Sequence, residues 1–203
     1  MRIGIFGGTF DPPHIGHINA CKIFANSFDF DKVFVIPVYL PPHKSLRSSS
    51  SVQNRLDMSM IAFSRLADNI EVSDIEIKRQ GKSYTADTIR HFKELGCDEI
   101  YFLCGTDMLL TLGAWYKPEY ILNNATIVYA RRENDSDILE RINKKIAEYT
   151  SKYNAKIISL DIVAIDVSST EIRNSLDDED FLSKYLTEDI IYYIKDQNLY
   201  REE

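Results

Sequence analysis

Short apolar runs recur along the chain, each ending in a polar break, and most are followed by apolar residues at helical spacing. The first run, Ile3 to Phe6, has the length and composition of a buried strand. It stops at Gly7-Gly8, where the backbone can approach a ligand closely. Asp11 before Pro12 predicts an N-cap with proline at the first helical position. Ile18, Cys21, Phe24, Ala25 and Phe28 then mark a helix. Val33 to Ile36 predicts a second strand, and Ser48 to Ser51 a polar loop. A helix is expected from near Ser51, with Leu56, Met60, Phe63 and Ala67 on its inner face. Ile70 to Ile77 reads as a strand with a change of phase at Ser73-Asp74. Thr85 to Leu95 reads as a helix stopped by Gly96 at its C′ position.

The second half repeats the theme. Glu99 to Cys104 and Thr126 to Ala130 predict strands. Short helices are expected over Met108 to Leu112 and Glu119 to Leu122. Ile138, Leu139, Ile142, Ile146 and Tyr149 share one face of a longer helix. Lys156 to Leu160 and Ile162 to Val167 are strand-like. Ser168 and Glu171, three apart, form a capping box, and Asp180 to Leu186 and Glu188 to Ile194 are closing helices. Alternating strands and helices imply an α/β fold with a mainly parallel sheet covered on both faces. In such sheets ligands bind beyond the carboxyl ends of the strands. Gly7-Gly8, Pro42-His43-Lys44, Gly105-Thr106-Asp107, Arg131-Arg132 and Ser168 to Arg173 all fall on that edge.

Composition narrows this picture. A chain of 203 residues, 44% hydrophobic and 11% aromatic, suits a single domain over 1–203 with a sizeable core. We expect a core over 1–167 and a helical C-terminal segment over 168–203. The net charge of −7 argues against a general nucleic-acid binder, yet leaves room for a locally positive anion pocket. The three cysteines, Cys21, Cys97 and Cys104, are odd in number and sit in apolar patterns, which points to a reduced, cytoplasmic protein. No signal peptide is expected, and no apolar run approaches the roughly 18 residues of a membrane span. A homo-oligomer is left open.

The chemistry concentrates on anions. A strand, a glycine turn and a helix N-terminus bring backbone N–H groups and the positive dipole end to one spot. His14 and His17, three apart, share a helical face there. With Cys21 they also carry a metal-like spacing, but three ligands on one helix suit tetrahedral zinc poorly; no protein metal site is expected. The dinucleotide pattern G-x-G-x-x-G and the P-loop pattern are both missing. Trp115, taken alone, fits core or interface packing better than a ring platform. Asp74, Glu76 and the run from Asp177 to Asp180 read as solvated faces.

Gly8-Thr9-Phe10-Asp11-Pro12 with His14-Ile15-Gly16-His17, and Ser168-Ser169-Thr170-Glu171-Ile172-Arg173, resemble the two signatures of the adenylyl/cytidylyl-transferase superfamily. Pro41-Pro42-His43-Lys44, Ser83 to Thr88, Gly105-Thr106-Asp107 and Trp115-Tyr116 narrow the resemblance to the bacterial nicotinate-mononucleotide adenylyltransferases. It runs in order from near residue 1 to beyond residue 173. It implies a Rossmann-like, doubly wound fold and the transfer of AMP from ATP to nicotinate mononucleotide, giving deamido-NAD and pyrophosphate. The acceptor phosphate is already anionic, so positioning and charge neutralisation suffice and no activated Ser or Cys is required.

By the same resemblance, His14, His17, Lys44 and Arg173 carry the catalysis. Gly7, Gly8, Thr9, Phe10, His14, His17, Gly105, Asp107, Ser168, Thr170 and Arg173 bind ATP. Gly8, Asp11, His43, Lys44, Tyr84, Thr85, Trp115 and Tyr116 bind the mononucleotide, with Trp115 stacked on the pyridine ring and Thr85 near its carboxylate. Mg²⁺ is expected with ATP, held by phosphates and water rather than by a protein cage. A sibling enzyme acting on nicotinamide mononucleotide or phosphopantetheine, and a nucleotide-binding module without turnover, are the alternatives.

Overall fold

The computed structural model describes residues 1–42, 50–131, 135–163 and 165–201. Its strands are β1 (Arg2–Gly8), β2 (Lys32–Pro37), β3 (Ile70–Val72), β4 (Glu99–Gly105), β5 (Thr126–Arg131) and β6 (Ile157–Asp161). All pair in parallel, in the order β3-β2-β1-β4-β5-β6. The order reverses between β1 and β4, which opens a crevice above their carboxyl ends, the favoured ligand position in sheets of this type.

The helices are α1 (Ile15–Ser27), α2 (Val52–Phe63), α3 (Ile75–Arg79), α4 (Thr85–Glu94), α5 (Thr106–Thr111), α6 (Pro118–Asn124), α7 (Ser136–Tyr153), α8 (Ser169–Asn174), α9 (Glu179–Tyr185) and α10 (Glu188–Asp196). Two apolar cores separate them by face. Phe6, Val33, Val35, Leu103 and Val128 pack with Phe24, Met58, Phe63, Ile172, Leu182 and Ile190, from α1, α2, α8, α9 and α10. Their strand neighbours Ile5, Ile36, Phe102, Cys104 and Ile127 pack oppositely, with Ile89, Phe92, Leu109, Ile121 and Ile142 from α4 to α7. Successive strand residues point to opposite faces, and both faces are covered, so the strands read as continuous apolar runs. The C-terminal helices contribute to the first of these cores.

Several expectations fail for local reasons. The first helix begins at Ile15 with His14 as its N-cap, so Asp11 and Pro12 belong to the loop before it. The stretch after β3 turns into α3 rather than continuing as a strand. There Glu76 is buried, not solvated: it accepts from Thr88 Oγ1 at 2.5 Å and pairs with Arg79 at 3.6 Å. The inner face of α2 is Arg55, Met58, Ser59, Ala62 and Phe63, while Met60 is 47% exposed. A buried arginine rotated the true face away from the apolar count. Ile162 to Val167 is irregular where described. The capping box at Ser168 and Glu171 is present.

Candidate active site

One cavity of about 970 Å³ opens at the reversal between β1 and β4. Gly7, Gly8, Thr9, Phe10, Asp11 and His17 line one wall, with Ser168, Thr170 and Arg173 of the α8 segment beside them. Tyr84, Thr85, Gly105, Asp107, Trp115 and Tyr116 line the other. His43 and Lys44 lie outside the described residues, as does Arg132. His14 is not among the lining groups, but it shapes the wall through His17.

The first wall is built by the two histidines. His14 Nδ1 accepts from the Gly16 N–H at 3.2 Å, and His17 Nδ1 accepts from the His14 N–H at 3.2 Å. Together they form a capping box of imidazoles at the start of α1, a job usually done by Ser, Thr or Asp with a glutamate. An Nδ1 that accepts places the ring proton on Nε2. Each ring thus uses its Nδ1 for the helix and carries its proton on Nε2. The rings stack at 3.7 Å between centroids. Gly16 explains the spacing: a Cβ there would lie 3.0 Å from the His14 ring. Gly8 is needed for a similar reason, since a Cβ would sit 2.7 Å from the Phe10 ring. Phe10 is 2% exposed, has a left-handed φ of 50°, and packs edge-on against Phe6, Phe63 and His17. It offers the cavity a fixed backbone rather than an open ring.

The α8 segment docks on this loop. Arg173 Nη1 donates to the Asp11 carbonyl at 2.7 Å and Nη2 to Thr170 Oγ1 at 3.2 Å. Ser169 Oγ donates to the Pro12 carbonyl at 2.9 Å. Ser168 Oγ and N both donate to Glu171 at 2.7 Å, and those bonds hold the Glu171 carboxyl below its usual range. Asp11, expected to face the mononucleotide, is buried; its carboxylate accepts from Tyr200 Oη at 2.7 Å and, through a short bond, from Ser50 Oγ. Beneath the loop, Arg55 is fully buried and donates to the Thr9, Val38 and Tyr39 carbonyls. Burial pulls its guanidinium down, against the opposing pull of Asp11. Arg55 and Tyr200 escape sequence reasoning, and Ser169 is read only as part of the Ser168 to Arg173 stretch. Each bonds to backbone or to a residue far away in sequence, and neither contact leaves a spacing to read.

The second wall is aromatic. Tyr84 and Tyr116 stack at 4.4 Å and 33°. Trp115 is half-buried, edge-on to Phe102 at 6.3 Å. Thr85 opens α4, whose N-terminus has no side-chain cap, so its first N–H groups are available to an acceptor. Gly105 caps α5 and Asp107 stands in its first turn. Cys21, which a zinc reading would require, is buried in the core with its thiol pushed up to about 12 by desolvation. Among the described residues no group of three His, Cys, Asp or Glu side chains is placed to hold a metal.

A three-layer α/β fold with its crevice at the strand reversal, a wall of anion donors and a wall of flat rings defines a nucleotide-binding protein of Rossmann-like design. Residues 5–175 match the cytidylyltransferase-like family model. A probable nicotinate-nucleotide adenylyltransferase of Clostridium novyi is 37% identical, covering 98% of both chains. One from Shewanella woodyi is 34% identical, over 99% of this chain and 100% of its own. The nicotinic acid mononucleotide adenylyltransferase of Plasmodium falciparum, complexed with NaAD, shares the fold: TM-score 0.77 and 23% identity, covering 98% of this chain and 97% of its own. The chain belongs to the cytidylyltransferase-like family, within its nicotinate-nucleotide adenylyltransferase branch. No helix among the described residues is long and apolar enough to cross a membrane.

Proposed function

We propose that the protein transfers AMP from ATP to nicotinate mononucleotide, releasing pyrophosphate and forming deamido-NAD. The observation that carries this reading is the shared cavity: an anion wall and an aromatic wall face one space beyond β1 and β4. The acceptor phosphate attacks the α-phosphorus in line and the bond to the β,γ-pyrophosphate breaks. No covalent enzyme intermediate is needed, because the nucleophile arrives ionised.

In this reading, backbone N–H groups of Gly7 to Phe10 approach the phosphates. His17, with His14 holding its ring, donates Nε2–H to the α-phosphate as charge develops. Arg173, steadied by Asp11 and Thr170, holds the leaving phosphates with its remaining donors, assisted by Ser168 and Thr170. Lys44 and His43 supply further positive charge. Asp107 accepts from the ATP ribose beside Gly105. Trp115 stacks on the pyridine ring, and Tyr84 and Tyr116 border it. The open N-terminus of α4 at Thr85 receives the ring carboxylate, a group that only accepts. With the carboxylate of Asp11 already engaged, its share in mononucleotide binding falls to its backbone.

Enzymes of this class work with a divalent cation on ATP, and we take it to be Mg²⁺. Such a cation would be carried by the phosphates and water, and when bound it would neutralise phosphate charge. We read the chain as one domain working in the cytoplasm, where its free cysteines stay reduced.

The test offers ATP and Mg²⁺ with nicotinate mononucleotide, nicotinamide mononucleotide or phosphopantetheine separately and measures pyrophosphate. Release with nicotinate mononucleotide is expected. Release with phosphopantetheine alone would overturn the acceptor, and release with none would favour a binding module.

A further inference from the structure

Asp11 is a carboxylate buried to 3% exposure in a loop that handles anions. Such a group costs free energy unless its oxygens are bonded. Its donors come from two distant parts of the chain. Ser50 stands just before α2, and Tyr200 lies beyond α10. Arg55 of α2 adds an attractive charge from below. The backbone carbonyl of Asp11 in turn accepts from Arg173 Nη1 at 2.7 Å. Asp11 therefore has its side chain fixed by the C-terminal stretch and its main chain fixed to the arginine.

We infer that Tyr200 is a positioning residue for Arg173, acting through Asp11. The geometry is committed to this contact: Tyr200 has a left-handed φ of 65°, costly for a bulky side chain, and its hydroxyl reaches 189 residues back to Asp11 Oδ1. Burial and the Asp11 carboxylate both push its phenol up, so it remains a donor across the physiological range. Loss of the hydroxyl leaves a buried carboxylate short of one donor. The carboxylate then turns towards water, and the peptide bearing the Arg173 acceptor moves with it. The inference rests on the proposed grip of Arg173 on the leaving phosphates.

The experiment uses the full chain as wild type, Tyr200→Phe, Arg173→Lys and the double variant. Inorganic pyrophosphate is titrated as an inhibitor against ATP, and KM is measured for each substrate. Tyr200→Phe is expected to weaken pyrophosphate binding and raise KM for ATP by roughly five-fold, a typical coupling through a shared partner. KM for nicotinate mononucleotide should hold. In the Arg173→Lys background the Tyr200→Phe effect should largely vanish. Ser50→Ala, which removes a second donor to the same carboxylate, should weaken pyrophosphate in the same direction. Fully additive effects, or lower melting temperatures in both Tyr200→Phe and Ser50→Ala at unchanged pyrophosphate affinity, would overturn the inference. Unchanged pyrophosphate affinity in Arg173→Lys itself would instead overturn the role given to Arg173.

Discussion

The two walls of the cavity are held by different means. The phosphate wall is cross-linked: His14 and His17 cap α1, Arg173 and Ser169 pin the 11–12 backbone, and Arg55 ties Thr9 to Val38 and Tyr39. The ring wall is stacked rather than bonded: Tyr84 on Tyr116, and Trp115 edge-on to Phe102. The difference matches what the proposed function asks each wall to recognise. A developing negative charge is stabilised only by donors already aimed at it, whereas a flat ring needs a face at van der Waals distance and tolerates some sliding. Substitutions of the first-wall histidines should therefore act on kcat and those of the rings on KM for the mononucleotide, while Arg173 acts on ATP and pyrophosphate affinity.

The largest effect should come from His17. His17→Ala is expected to lower kcat at least about 10²-fold, as loss of a transition-state donor does. Because His17 Nδ1 also caps His14 N, His17→Asn is the sharper variant: its amide oxygen can keep the cap while the Nε2 donor is gone. Steady-state pyrophosphate release near the wild-type rate in His17→Asn would remove His17 from the chemistry. On the ring wall, Trp115→Ala should raise KM for nicotinate mononucleotide about ten-fold, the scale of one ring stack, with kcat little changed and Trp115→Phe recovering most of the loss. A fall in kcat at unchanged KM would erase the contrast between the walls.

Each wall also has a buried thiol behind it, Cys21 beside α1's core face and Cys104 at the end of β4. Desolvation raises both above the usual thiol value, Cys21 to about 12. A raised folded pKa gives stability that is complete below the unfolded value of 9.0 and is lost as pH climbs towards the folded one. Stability should thus decline above pH 9, by about 1 kcal/mol per thiol one unit higher, and the melting temperature should fall with it. Cys21→Ala and Cys104→Ala should each flatten that decline; identical slopes in the variants would assign it elsewhere. The smallest effect concerns the scaffold of the phosphate wall. Ser51 caps α2, the helix that carries Arg55, in a box with Asn54. Ser51→Ala should cost at most about 1 kcal/mol in a urea titration without changing turnover.

The outline of the first wall is legible in local patterns, whereas Tyr84, Thr85, Trp115 and Tyr116 of the second are reached only through the family resemblance. The unbroken apolar runs of Ile3 to Phe6 and Ile100 to Cys104 follow from a sheet covered on both faces. The capping box of Ser168 and Glu171 is likewise readable from its three-residue spacing. What stayed hidden depends on polar groups inside. Arg55 disguised the inner face of α2 as polar, and Glu76 looked like a surface residue until Thr88 and Arg79 were seen beside it. Asp11-Pro12 mimics a helix start, and only the real cap at His14 shows where the turn begins. Hydrophobicity reports burial well for apolar residues and is silent about a polar one whose partners are far along the chain.

The bond between Asp11 and Tyr200 has a consequence in time. During synthesis Asp11 leaves the ribosome long before Tyr200, and β1 can pair with β2 while most of the chain is still unmade. The carboxylate of Asp11 lacks its phenol donor until elongation has passed residue 200. The sheet thus forms progressively, but the loop that aims Arg173 is completed only when one of the last described residues arrives.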